Sequence, residues 1–305
     1  MADTLQPRRS DPQEIEQQLI GVLNIVLQAS TTIAIVAAAQ ILDSFFPANG
    51  DEPSEGKGSP KDFLIELWRL LFKVAEQIPP RDFKLDRLAE LVAQLSRLPS
   101  SKTVKLLAVE TKVWAELPLL GSSLMNEWRC PNLAIDITKV GAGQAERRER
   151  YLRLNALIIR LTRDGTLDLR SYGLATLRDA LEGQLAPARY SGVKENPFPD
   201  AALRCRVAAA AEWIEQCGGI IFDSDENASD VPGGPLWNGT KGFSRGRWDL
   251  WKKRFGLISE HDRAKEETKS AARGARDRMT EIEKDPGNGT RDDIFSGRGN
   301  FYVNF

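Results

Sequence analysis

The chain has 305 residues, of which 41% are apolar and 28% charged, with a formal net charge of -1. That length buries a real core as one large domain or two moderate ones, and the charge balance argues against a nucleic-acid binder. Cys130, Cys205 and Cys217 are odd in number and lack the spacing of a zinc or redox site, which fits a reducing, cytoplasmic setting. His261 is the one histidine, so histidine catalysis and a His-rich metal site are poor expectations.

Residues 1–11 read as a mobile N-terminus, and Pro12 to Phe46 as helix with a break near Ser30-Thr31-Thr32. The uncharged run Leu19 to Leu42 is long enough to cross a bilayer, but Asn24, Gln28, Ser30, Thr31, Thr32 and Gln40 would each be costly in hydrocarbon. A buried helix is the expectation, with no membrane span. Residues 49–60 form a linker-like loop rich in Gly, Ser, Pro and Glu.

Phe63, Leu67, Leu70, Leu71 and Val74 then mark an apolar helical stripe, and a second helix runs through Leu85, Leu88, Leu91, Val92 and Leu95. Thr103 to Leu117 and Gly121 to Arg129 read as a helix pair broken at Pro118. Gln144 to Arg163 is helical up to the turn signal Asp164-Gly165, and the next helix ends near Glu182 and Gly183. An alanine-rich helix, Asp200 to Cys217, stops at Gly218-Gly219. Cys205 and Cys217 would lie about 18 Å apart along it and cannot pair. Helices from Arg245 to Phe255 and after Ser259 complete the pattern. The expected fold is all-α, a single irregular helical bundle over residues 12–284 with loose termini. In the tail 285–305, Phe301, Val303 and Phe305 alternate; they are expected to dock on the helical body, the alternative being that they anchor a partner.

Three places carry candidate chemistry. In "FDSDENASD", Asp223, Asp225 and Asn227 match the first ligand positions of a calcium loop. The required Gly is Ala228 and the closing Glu is Gly234, so the stretch is not an EF-hand. It reads as a solvated loop, or as a magnesium site holding a diphosphate at a bundle cavity. In "RGRWDLWKKRFGLI", Trp248, Trp251, Phe255 and Ile258 form one stripe that either anchors helix packing or lines a ligand pocket. Asn155 points to the centre of the apolar face of "YLRLNALIIRL". Its amide needs buried partners, or it projects into a polar pocket.

The blocks Val113 to Trp128, Tyr151 to Glu182 and Gly234 to Gly256 resemble an uncharacterised fungal family with a domain of unknown function. The resemblance implies a helical intracellular protein and supplies no activity, cofactor or catalytic residue. Two readings of function follow from the residues. One is a non-catalytic helical protein that binds an unknown protein partner or a small molecule, with no cofactor. The other is a magnesium-dependent enzyme acting on an isoprenoid-like diphosphate, with Asp223 and Asp225 on the metal and Trp248 or Trp251 facing a carbocation.

Overall fold

A computed structural model of the chain describes residues 14–47, 59–106, 109–134, 142–183, 200–224, 229–262 and 264–285. The N-terminal stretch 1–11, nearly all of the loop 49–60, the tail 286–305, and Asp225 and Asn227 lie outside the described residues. The regular structure of the described residues is helical apart from one small two-stranded ribbon, as the 3.6-residue periodicity predicts. It divides at Cys130 into two compact units.

The first unit begins with α1 (Glu14–Gln28) and α2 (Thr32–Phe45). The uncharged run is therefore two helices. Thr31 breaks it, because its hydroxyl accepts from the Ala34 amide and caps α2. Among the described residues no helix is long and apolar enough to cross a membrane. Ser59 and Asp62 form a reciprocal capping box that starts α3 (Pro60–Ala75), with Pro60 in the first turn. α4 (Lys84–Ser96) packs against α1, α2 and α3.

The expected helix at Thr103 is not formed. Instead β1 (Thr103–Leu106) pairs antiparallel with β2 (Val109–Lys112), Thr103 opposite Lys112 and Leu106 opposite Val109. Four β-branched residues in "TVKLLAVETK" suit an edge ribbon better than a helix. The one-turn α5 (Val113–Glu116) and then α6 (Leu120–Ala134) follow. Between them Leu117 and Leu119 hold left-handed φ values of 46° and 65°. Burial of the Leu117 side chain, at 2% exposure, offsets that strain. Pro118 at this corner accepts a hydrogen bond from the buried Trp68 indole at 2.9 Å.

The second unit holds α7 (Ala142–Arg163), α8 (Arg170–Leu181), α9 (Asp200–Phe222), α10 (Arg245–Glu260) and α11 (Glu266–Lys284). α9 is its hub, packed on α7, α8 and α11, while α10 packs on α11 and α8. The alanine run of α9 lies against its neighbours, with Ala209, Ala210 and Ala211 buried. α9 does not stop at Gly218-Gly219 but runs on to Phe222. A β-carbon on Gly218 would stand 2.6 Å from Cδ1 of Ile282, so this glycine is a contact point with α11. Close packing there outweighs the roughly 1 kcal/mol that glycine costs within a helix.

Candidate functional site

Asn155 sits on α7 at 1% exposure. Its amide nitrogen donates to the Tyr151 carbonyl at 2.9 Å, one turn back. Its oxygen accepts from the Thr176 hydroxyl at 3.2 Å and from the Trp213 indole at 3.1 Å. Tyr151 donates in turn to Thr176 at 3.3 Å, and burial pushes its phenol well above the ordinary range. One amide thus ties α7, α8 and α9 together. Gly173 on α8 completes the junction, for a β-carbon there would meet the Trp213 ring at 2.7 Å.

A second polar centre lies where α8 ends. Glu182 and Arg247 form an ion pair, both side chains fully buried, with Nε to Oε1 at 2.6 Å and Nη2 to Oε2 at 3.1 Å. The Trp251 indole donates to Oε1 at 2.8 Å and the Gly234 amide to Oε2 at 2.6 Å. Arg247 spends its remaining donors on the Gly242, Pro232 and Val231 carbonyls. The loop "VPGGPLWNGTKG" is therefore wrapped around one ion pair. Two turns on from Arg247, Arg254 donates to the Leu181 and Gly183 carbonyls, each at 2.9 Å, and caps the end of α8. Ser244 starts α10 by accepting from the Arg247 amide.

Trp248 is 2% exposed and Trp251 1%. The Trp248 indole donates to Glu283 of α11 at 2.9 Å, and Lys252 pairs with the same carboxylate at 2.5 Å. Burial opposes ionisation of Glu283, but the hydrogen bonds from Lys252 and Trp248 prevail and hold its carboxyl below the ordinary value. Phe222 packs beside Trp248 with ring centroids 4.9 Å apart, and the Arg245 guanidinium lies over the Phe222 ring, 3.2 Å from its centroid. Asp223 lies 3.9 Å from Arg245, so this carboxylate faces a cation. Among the described residues no three His, Cys, Asp or Glu side chains gather as a metal site.

The sequence reading missed Glu182, Arg247 and Arg254. A signal was present. Arg247, Trp251, Arg254 and Ile258 recur at i, i+4, i+7 and i+11, which places two arginines on the buried face of α10. It also missed a cleft of about 550 Å³ where the end of α7, the second half of α9 and the end of α11 meet. Charges of both signs line it, with Arg163 and Arg278 against Glu215, Glu281 and Asp285. Desolvation raises the Glu215 carboxyl; Arg278 opposes that shift, while Glu212 and Glu281 add to it.

The sequence model described as "Protein of unknown function (DUF3632)" matches residues 68–255. The chain belongs to this family. The DUF3632 match takes in the Asn155 junction, the Glu182–Arg247 pair and both α10 tryptophans. No curated protein and no solved structure matches the chain.

Proposed function

We propose that this DUF3632 chain is a non-catalytic intracellular protein that binds a small charged ligand in the cleft among α7, α9 and α11. The cleft itself carries the reading. Its about 550 Å³ fits the common range of ligand sites, and it presents charged groups to solvent on three helices. The polar groups around α10 are committed elsewhere: Glu182, Arg247 and the Trp251 indole are spent on one another and on the loop backbone. Cys205 and Cys217 are free and buried, which accords with a reducing compartment. Burial pushes the Cys205 thiol up to about 12 and raises Cys217 as well, so neither offers a thiolate nucleophile. No metal cofactor is part of this reading.

Thermal denaturation against separate panels of organic cations, organic anions and zwitterions tests it. One class is expected to raise the melting temperature, because a ligand bound to the folded state stabilises it by mass action. Glu215→Gln or Arg278→Gln should abolish that rise while leaving the unliganded melt close to wild type. If no class shifts the melt, or the rise survives both substitutions, the cleft is not the ligand site.

A further inference from the structure

We propose that the outward face of the α1–α2 hairpin is a self-association surface that pairs with the same face of a second copy of this chain. From Gln17 to Ser44 thirteen residues are exposed, and none of them carries a charge. Soluble surfaces are about 25–35% Lys, Arg, Glu and Asp, so roughly three or four charges belong in a patch of that size. The one charged residue of the stretch, Asp43, turns away from this face to the Trp114 indole, the Ser100 hydroxyl and the Lys102 ammonium.

Apolar side chains stand on the face instead. Ile33 is 80% exposed, Ile25 50% and Ile41 37%. Ile33, Ala37 and Ile41 follow one another at i, i+4 and i+8, a stripe along α2. On α1, Gly21 is open, with no atom within 4 Å of where a β-carbon would stand, and leaves a recess for an incoming isoleucine. α1 and α2 both pack on α4, and their exposed sides are the ones left over from that packing.

Charge selects the occupant. A membrane surface or an acidic partner would call for Lys or Arg, which the face lacks; a basic partner would call for several Asp or Glu, and the face has Glu14 alone, at the start of α1 and bonded by Gln18. A second copy needs none, since a two-fold axis brings the uncharged exposed residues of 17–44 onto themselves with no like charges opposed among them. The patch is small. Two helices of about 21 Å lying about 10 Å apart present a plan area of roughly 400 Å², against about 800 Å² per partner in a standard interface. The dimer is accordingly weak and reversible.

Sedimentation velocity on the full chain, from low micromolar to several hundred micromolar, tests this. The sedimentation coefficient should rise from monomer toward dimer with concentration. Ile33→Glu and, separately, Ala37→Glu should each hold the chain monomeric with an unchanged melting temperature. Ala37→Glu decides alone if Ile33→Glu disturbs folding. A wild-type monomer at every concentration overturns the proposal, as does a dimer that survives both substitutions. A wild-type monomer that dimerises once cut after Asp285 gives the face to the chain's own tail, and overturns it too.

Discussion

Replacing Glu182 by Gln removes one charge from the best-buried ion pair of the second unit and leaves its shape. The carboxylate accepts four hydrogen bonds, two from Arg247 and one each from Trp251 and Gly234. A carboxamide has one acceptor oxygen, so its NH2 must face an Arg247 donor together with either the Gly234 amide or the Trp251 indole, and all of these are donors themselves. Arg247, at 0% exposure, then keeps its charge with only neutral carbonyls around it and no anion. Breaking one side of a buried pair costs about 3–5 kcal/mol. Against a total stability of roughly 5–15 kcal/mol, that is a large fraction. Urea denaturation followed by tryptophan fluorescence should show the midpoint fall accordingly, and hydrogen exchange should quicken at the Gly234 and Leu236 amides, which bond to Glu182. The double variant Glu182→Leu/Arg247→Met should remain less stable than wild type, because it orphans the loop groups that the pair satisfies. A Glu182→Gln loss under about 1 kcal/mol, with exchange unchanged, would refute the view that the pair holds the loop.

Asn155→Leu should cost about 1–3 kcal/mol in a chemical melt, since it strands the Trp213 N–H and the Thr176 hydroxyl; a stabilised variant would show that the amide has no structural role. Gly173→Ala gains up to about 1 kcal/mol of helix propensity, yet it drives a methyl into a buried indole, and overpacking of about 1–3 kcal/mol should prevail. A stabilised Gly173→Ala protein would show that the α8–α9 contact gives way easily. Glu283 has a folded-state carboxyl below its ordinary 4.5, so its contribution is present above that value and is lost as pH falls through the lower, folded value. The melting difference between wild type and Glu283→Gln should therefore be largest near neutral pH and close in acid; a gap that persists at low pH would mean the substitution acts through packing.

Helical periodicity made most of this fold legible, and the exceptions have local causes. Thr103–Leu106 and Val109–Lys112, four residues each, are too short to announce a strand, and only pairing with one another makes them strands. Gly218-Gly219 reads as a stop until α11 lies beside it, because the contact that keeps the helix going is distant in sequence. Asn155 was visible as a polar residue on an apolar face, and its need for partners followed from chemistry alone. The identity of those partners did not, since Thr176 and Trp213 come from other helices. Glu182 was harder to see. It stands at the end of a helix before a glycine, where a charged residue is unremarkable, and only the arrival of Arg247 from 65 residues away makes it a core residue.

The two polar centres differ in what they do for the fold. At Asn155 a neutral amide joins three regular helices, and apolar neighbours such as Leu154, Ala156 and Ile158 would hold them near one another without it. At Glu182 the partners are loop carbonyls and amides of "VPGGPLWNGTKG", which has few apolar side chains to bury and no helix or strand to satisfy its backbone. An irregular loop of this length on a helical body needs a donor and an acceptor delivered together, and a buried Arg–Glu pair supplies both at one point. That explains a charged pair where an apolar one of equal volume would pack as well: the loop, and not the helices, requires it. The pair is thus a device of the fold, and the cleft beside Glu215, on other faces of α7, α9 and α11, takes no part in it.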